Sequence, residues 1–208
     1  MPFSSKSVGK DIMEVAMKAI TSGLGKNGFY EPGHSSYAVK SPQFSWTQLR
    51  GAYPALGPEM HSTGESAALG RNFDDALLKS WLGVQPNYIP PEGSAAILYS
   101  RNPSAAMDGA AKKLSKWFDV KTVYGGALES FDSISQAKAV ELMRLHKAGL
   151  VVTEGSDMGF DYIVRRGAAD LNVPLVLNGR LGLAIATAME HSSFGTGKLE
   201  CLEMSEYW

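Results

Sequence analysis

Cysteine, net charge and long apolar runs are all scarce in this sequence of 208 residues. The single cysteine, Cys201, excludes an internal disulfide framework and a metal site built from a cysteine cluster. The 20 basic and 21 acidic side chains nearly cancel, which argues against a dominant surface for nucleic acid or anionic membrane. Charged residues interrupt the amino-terminal segment, which therefore lacks a signal-peptide core, and no apolar run has membrane-spanning length. We expect a cytoplasmic protein that binds neither nucleic acid nor a membrane.

The amino-terminal part mixes helical and extended patterns. Apolar residues at the spacing of one helix face, among them Ile12, Val15 and Ile20, predict an amphipathic helix over residues 10–22 that Gly23 ends. Extended segments are predicted at Tyr37–Lys40, Phe44–Trp46 and residues 61–69. Asn72 is a good cap for a second helix. The predicted inward face of that helix is Phe73, Ala76, Leu77, Ser80 and Trp81.

The character of the chain changes after the proline-rich connector Gln85–Gly93. Short apolar runs then alternate with helical patterns. The runs are Ala95–Tyr99, Val120–Val123, Leu150–Val152 and Leu175–Leu177. Strands that alternate with helices predict a parallel sheet with right-handed crossovers, and therefore a three-layer α/β domain.

Several segments carry a longer similarity. In the amino-terminal part they are Met1–Gly9 (MPFSSKSVG), Tyr37–Trp46 (YAVKSPQFSW), Leu56–Gly70 (LGPEMHSTGESAALG) and Phe73–Lys79. In the carboxyl-terminal part they are Ile163–Ala168 (IVRRGA) and Asn178–Met189. Together they resemble the end of a carbamoyl-phosphate synthetase large chain, where the second ATP-grasp unit is followed by an effector domain that shares its fold with methylglyoxal synthase.

The resemblance implies an α/β protein with two units. Residues 1–88 would form a small α+β remnant of an ATP-grasp domain, the carboxyl-terminal part of the unit that phosphorylates carbamate. Residues 92–192 would form a parallel-sheet, three-layer α/β domain of methylglyoxal-synthase-like type, and residues 193–208 an irregular tail. The complete enzyme would serve arginine and pyrimidine synthesis.

The resemblance also implies that the chain is part of an ATP-dependent ligase without being catalytic by itself. In the family, the phosphate-covering loop and the metal-binding Glu and Asn precede the region matched here, and phosphoryl transfer depends on such positioned charges. We expect no catalytic residue, no metal site and no cofactor in this chain, because ATP and Mg belong to the complete enzyme. Its expected partners are the ATP-grasp remainder of the large chain, the glutaminase small chain, a small-molecule effector and further copies of itself.

An effector site is expected at the carboxyl ends of the parallel strands, where open α/β sheets bind ligands. The candidate residues there are Arg101, Asn102, Gly125, Gly126, Thr153, Ser156, Asn178 and Arg180. Backbone amides, hydroxyls and a guanidinium at these positions suit an anion. The sequence departs from the family, however. Two expected threonines are missing from Val123–Gly126, Glu154 would repel a phosphate, and Ser41 replaces the acidic residue of ornithine-responsive members.

A further departure concerns the same domain. The segment between Gly126 and Val151 is too short, by this interpretation, for the family's intervening strand with its phosphate-binding lysine. A retained nucleotide-type site and a purely structural domain therefore both stay open. So do two other functions, namely a methylglyoxal-synthase-type lyase with Glu154 or Asp157 as its base, and an interaction module with uncovered sheet edges.

Other local patterns have an ordinary structural interpretation. The glycines of Gly23–Gly28 follow a helix, which indicates a helix stop, and Gly195–Lys198 indicates a turn. Alternating polar residues (Glu59, His61, Thr63 and Glu65) indicate a solvated strand face more than a metal site. Arg165 and Arg166 each have an acidic residue four positions away, at Asp161 and Asp170, which predicts a solvent-exposed helix face. Cys201 is expected to be a bystander.

Overall fold

An antiparallel strand pair backed by one helix forms the centre of the amino-terminal unit. The structure, a computed structural model, describes residues 2–23, 36–123, 128, 130–155, 158–192 and 199–207. The elements of this unit are α1 (Pro2–Val8), α2 (Ile12–Ser22), β1 (Tyr37–Gln43), β2 (Gly64–Gly70) and α3 (Phe73–Leu82). Strands β1 and β2 pair from Tyr37 opposite Gly70 to Gln43 opposite Gly64.

The helix predicted over residues 10–22 is confirmed as α2. The Asp11 carboxylate accepts hydrogen bonds from the backbone N–H groups of Met13 and Glu14, and Gly23, with φ +73°, ends the helix. The apolar face of this helix is not covered by other described residues. All of α2 is described, and none of its residues is buried. Helix α1 was not predicted.

The extended segment predicted at Phe44–Trp46 is wrong, because the β1–β2 ladder ends at Gln43 and leaves these residues without a strand partner. The two other extended predictions correspond to β1 and β2. Since β2 begins only at Gly64, residues 59–63 do not alternate on a strand face. Instead, the Glu65 carboxylate lies 2.6 Å from Lys40 Nζ on the neighbouring strand.

The carboxyl-terminal unit is built on a five-stranded parallel sheet. Its strands are β3 (Ala95–Tyr99), β4 (Asp119–Val123), β5 (Asp132–Ser133), β6 (Ala148–Thr153) and β7 (Leu175–Val176), in the order β5-β4-β3-β6-β7. The four predicted strands are confirmed. The expectation that no strand fits between Gly126 and Val151 is wrong, because β5 pairs with β4 there. A strand of two residues is too short to produce a periodic pattern.

Helices cover both faces of this sheet, which confirms the α/β class and the three-layer arrangement. They are α4 (Ala105–Leu114), α5 (Gln136–Arg144), α6 (Tyr162–Asp170) and α7 (Gly179–His191). Strand residues alternate between two apolar clusters. Ala96 and Leu98 pack with α4 and α7, whereas Ile97 and Tyr99 pack with α5 and α6. Ser104, Ser135 and Asn178 cap α4, α5 and α7.

The two units share an apolar core. Leu78 and Trp81 of α3 belong to the same buried cluster as Leu114 of α4 and Met189 of α7. Between them, residues 85–91 form no helix or strand. The sequence-based domain limits at residues 88 and 92 stay predictions.

The carboxyl-terminal segment returns to the amino-terminal unit. Residues 193–198 lie outside the described part of the chain, whereas Met204–Tyr207 form a short 3-10 helix within the segment expected to be irregular. The Tyr207 side chain is buried, and Lys79 Nζ lies 3.4 Å from its hydroxyl. The hydrogen bonds of Lys79 to Asp75 and Tyr207 raise its pKa, although burial by itself would lower it. Within the described ranges, no helix is both long and apolar enough to span a membrane.

Candidate functional site

Of the predicted effector residues, Arg101, Asn102, Thr153, Asn178 and Arg180 are described, and they lie at or just after the carboxyl ends of β3, β6 and β7. Thr153 is fully buried, and its hydroxyl donates to the carbonyl oxygen of Val176 at 3.3 Å. The Asn178 side chain accepts the N–H of Leu181 at 2.7 Å as the cap of α7. Asn102 and Arg180 are exposed. Gly125, Gly126 and Ser156 lie outside the described residues.

Arg101 makes an aromatic contact at this edge. The centre of its guanidinium lies 3.9 Å from the ring centroid of Phe160. That distance is typical of a cation–π interaction. Arg101 is therefore held beside the loop that precedes α6, and its charge remains at the surface.

Glu154 supplies a negative charge at the same edge. Its Oε2 accepts the backbone N–H of Ser104 at 2.8 Å, and its Oε1 accepts the Ser104 hydroxyl at 2.6 Å. A Cβ added at Gly179, the first residue of α7, would lie 2.7 Å from Oε1. The carboxylate therefore lies between the amino termini of α4 and α7, where helix dipoles favour a negative charge. At the amino termini of these two helices, the anion is thus the Glu154 carboxylate of the chain itself.

A cavity of about 530 Å³ lies between the two units. It was missed by sequence reasoning because its walls come from segments far apart in the chain. The lining comprises Ser41–Gln48, Leu56, Leu77, Trp81, Val84–Asn87, Ala169, Asn172, Val173 and Leu175–Asn178 with Leu181. No charged side chain is among these described lining residues. Its polar side-chain groups are chiefly hydroxyls and amides, which can donate and accept hydrogen bonds.

Aromatic and amide groups shape one wall of this cavity. The rings of Phe44 and Trp46 are stacked, with centroids 5.4 Å apart. Gln43 exchanges two hydrogen bonds with the backbone of Gln85, each 2.9 Å long. The Ser41 hydroxyl accepts a hydrogen bond of 2.7 Å from buried Ser80. Ser41 is thus positioned by α3, and it places no negative charge in the cavity.

Helix α6 carries two arginines that reach the amino-terminal unit. The prediction that Arg165 and Arg166 lie on a solvated helix face is wrong, because their exposed fractions are 1% and 6%. The predicted ion pairs themselves are confirmed. Arg165 Nε lies 2.6 Å from Asp161 Oδ2, and Arg166 pairs with Asp170. Their remaining N–H groups donate to backbone carbonyls of residues 46–54 and of Gly155.

Charge pairs also connect α4 with α7. Hydrogen bonds from Lys113 and Lys116 to Glu190 lower the pKa of that carboxyl group to about 2. On β4, hydrogen bonds to Asp132 and Asp119 raise the pKa of Lys121. Lys121, beside the short strand β5, is thus ion-paired with two carboxylates of the chain itself.

The candidate metal ligands and the single cysteine gain no support from the described residues. Among the residues that the structure describes, no group of three or more His, Cys, Asp and Glu side chains is placed to hold a metal ion. The Thr63 hydroxyl lies 2.7 Å from that of Ser45, which accounts for one of the polar residues between positions 59 and 65. Cys201 is exposed and not in a disulfide.

Known proteins resemble the whole chain. It is 46% identical over 210 residues to the carbamoyl phosphate synthase large chain of Saccharolobus islandicus strain L.S.2.15, a match that covers 100% of this chain and 20% of that protein. It is 46% identical over 189 residues to the large chain of Sulfolobus acidocaldarius, a match that covers 90% of this chain and 18% of that protein. It is 44% identical over 212 residues to the large chain of Pyrococcus furiosus, which covers 100% of this chain and 20% of that protein.

The chain spans about a fifth of the length of these curated relatives. No family model matches it. Among solved structures, a chorismate mutase/shikimate 5-dehydrogenase fusion protein from Clostridium acetobutylicum is 14% identical, with a TM-score of 0.31 over 79% of this chain and 68% of that one. A likeness at that level supports no conclusion about fold or function.

Proposed function

We propose that this chain, which corresponds to the carboxyl-terminal portion of carbamoyl phosphate synthase large chains, is the structural and regulatory end of that ATP-dependent ligase. The observation that carries the proposal is the 46% identity over the full chain. In this function residues 1–88 complete an ATP-grasp unit, and residues 92–192 form an effector domain related to methylglyoxal synthase. The complete enzyme makes carbamoyl phosphate for arginine and pyrimidine synthesis.

An uncovered helix supports the need for the remainder of the large chain. Met13, Val15, Met17 and Ile20 of α2 are exposed, and the exposed fraction of Ile20 is 78%. An amphipathic helix gains its stability chiefly by burying its apolar face against another element. The relatives are about five times as long as this chain, so the additional ATP-grasp residues supply a natural partner for α2.

The amino-terminal sheet supports the same proposal. Strands β1 and β2 pair only with each other among the described strands. A two-stranded sheet is marginal by itself, and its outer edges can accept further strands. In the complete large chain, strands from the preceding part would extend this sheet. The glutaminase small chain is a proposed partner of the assembled enzyme only.

Regulation is proposed to act through the effector domain. The exposed groups of Arg101, Asn102, Asn178 and Arg180 remain the candidate effector contacts at the sheet edge. The Glu154 carboxylate opposes a phosphate there, whereas the cavity between the units has no charged side chain among its described lining residues. Thermal shift with UMP, IMP, ornithine and N-acetylglutamate tests this part. If none of the four compounds shifts the melting temperature, the structural function stands and the regulatory function is rejected.

The lyase alternative is not favoured. A catalytic base must be within reach of a substrate proton, but the Glu154 carboxylate is engaged on both oxygens by Ser104. Asp157 lies outside the described residues. Formation of methylglyoxal from dihydroxyacetone phosphate by the purified chain would restore this alternative.

Reconstitution tests the main proposal. A large chain from Pyrococcus furiosus, shortened by the region that this chain matches, is mixed with the chain in the presence of ATP, Mg²⁺, bicarbonate and ammonia. We expect carbamoyl phosphate formation only from the mixture, because the matched region lacks the ATP- and metal-binding residues. An Ile20→Asp variant, altered on the exposed face of α2, should restore less activity. Synthesis by the chain alone, or no activity of the mixture, would contradict the proposal.

A further inference from the structure

We propose that Arg165 is a positioning residue that couples the carboxyl edge of the parallel sheet to residues 46–54 of the amino-terminal unit. The inference rests on the proposed function, because the segment it acts on belongs to the proposed ATP-grasp end. It adds a physical route between the two units. The route consists of one buried side chain with partners in three separate segments.

All three nitrogens of the Arg165 guanidinium donate hydrogen bonds. Its Nε donates to Asp161 Oδ2 at 2.6 Å, its Nη1 donates to the carbonyl oxygen of Pro54 at 3.1 Å, and its Nη2 donates to that of Gly155. Pro54 lies in the amino-terminal unit, and Gly155 follows β6 in the carboxyl-terminal unit. The guanidinium is planar and rigid, so its donors keep a fixed relation to one another. If the Gly155 carbonyl moves, the hydrogen bond of Arg165 to the Pro54 carbonyl is therefore disturbed, and the reverse also holds.

The neighbouring arginine holds the same segment. Arg166 Nη1 lies 3.1 Å from the carbonyl oxygens of both Leu49 and Ala52, and its Nη2 lies 2.9 Å from that of Trp46. The Trp46 and Leu49 carbonyls also accept turn hydrogen bonds from the backbone N–H groups of Leu49 and Ala52. Arg166 therefore adds charged donors to a segment that is otherwise built of turns. The conformation of residues 46–54 thus depends on α6.

Two tyrosines complete the contact. The Tyr53 hydroxyl donates to Asp161 Oδ1 at 2.6 Å, and the Tyr162 hydroxyl donates to the Gly51 carbonyl at 3.1 Å. Arg165 also lies over the Tyr53 ring, with its guanidinium centre 5.6 Å from the ring centroid. The Asp161 carboxylate therefore receives one donor from each unit. Burial of this ion pair makes separation of its members unfavourable.

The other end of the route reaches the sheet edge. Gly155 follows Glu154, whose carboxylate binds Ser104 at the start of α4. Gly155 has φ +75°, a backbone conformation that residues with a Cβ rarely adopt. Any event that moves Glu154 from Ser104 will act on the adjacent Gly155 carbonyl, and through Arg165 on Pro54. Coupling of this kind is reciprocal.

Hydrogen exchange on the isolated chain tests the coupling without a ligand. A Gly155→Ala substitution strains the backbone, although nothing lies within 4 Å of the added Cβ. We expect amide exchange in residues 46–54 to become about tenfold faster, as for local opening of a weakened contact. In an Arg165→Lys background the same substitution should have little further effect, since Lys lacks the fork that joins Gly155 to Pro54. Arg144→Lys, at an exposed residue of α5, is the matched control.

Equal effects of Gly155→Ala in the wild-type and Arg165→Lys backgrounds would overturn the proposal. So would unchanged exchange in residues 46–54. If Arg165→Lys does not fold, Tyr53→Phe gives the reciprocal test, because it removes only a hydroxyl. It should accelerate exchange at the Glu154 and Gly155 amides by about threefold to tenfold, and no change there would also overturn the coupling. Failure of reconstitution would leave these results intact, so the two proposals can fail separately.

Discussion

The hydroxyl of Tyr53 lies 2.6 Å from a carboxylate oxygen of Asp161, although the two residues are 108 positions apart in the sequence. The same carboxylate pairs with buried Arg165. A polar, hydrogen-bonded contact therefore joins the amino-terminal unit to α6, in addition to the apolar core that the two units share. A buried polar contact tolerates fewer alternative arrangements than an apolar one.

Removal of the Arg166 side chain is expected to destabilise the chain. Arg166→Ala removes the guanidinium donors to the carbonyls of Trp46, Leu49 and Ala52, and we expect the free energy of unfolding to fall by about 1–3 kcal/mol. Urea denaturation followed by circular dichroism measures the change. Arg180→Ala, at an exposed arginine of α7, should shift the free energy by less than about 0.5 kcal/mol. Equal losses in both variants would contradict the assigned contacts of Arg166.

The stability of the contact between α4 and α7 should depend on pH through Glu190. Its pKa is lowered from 4.5 to about 2 in the folded state, so its stabilising effect is complete above pH 4.5 and is lost as the pH falls towards 2. Glu190→Gln lacks this titration. The free energy of unfolding of the variant should therefore decline less steeply with acid over that interval. Parallel pH profiles for the two proteins would show that Glu190 has an ordinary pKa.

Loss of the Glu154 carboxylate should weaken the start of α4. Glu154→Ala removes the acceptor of both the Ser104 N–H and its hydroxyl, and we expect a loss of about 1–2 kcal/mol in the free energy of unfolding. Thermal and urea denaturation give the value. Glu141→Ala, at an exposed residue of α5, provides the comparison. A neutral effect of Glu154→Ala would mean that Ser104 caps α4 equally well without the carboxylate.

The exposed face of α2 should promote self-association of the isolated chain. Exposed Met13, Met17 and Ile20 provide an apolar surface, and sedimentation velocity over a range of protein concentrations should reveal association. Ile20→Asp should reduce the association while changing the free energy of unfolding by less than about 0.5 kcal/mol, because the side chain is already exposed. A chain that stays monomeric at every concentration would contradict this expectation.

Much of the carboxyl-terminal unit could be predicted from local patterns. The apolar run Ala95–Tyr99 is buried as expected, because a continuous apolar run reflects a strand that is covered on both faces. The cap residue Asn72 also acts as expected, whereas Asn178, predicted as an effector contact, caps α7. By contrast, β5 was missed because a strand of two residues has no period, and its pairing with β4 depends on the rest of the sheet.

The sequence by itself determined the alternation of strands and helices, the Asn72 cap, the i, i+4 pairs of α6 and the resemblance to a large-chain carboxyl terminus. All of these depend on residues close together in the chain or on direct comparison. Only the tertiary structure decided that α2 has its apolar face uncovered and that Arg165 and Arg166 are buried. The reason is that burial depends on which distant segment covers a residue. The partners of these arginines in residues 46–54 lie more than one hundred positions away, so no local pattern could predict them.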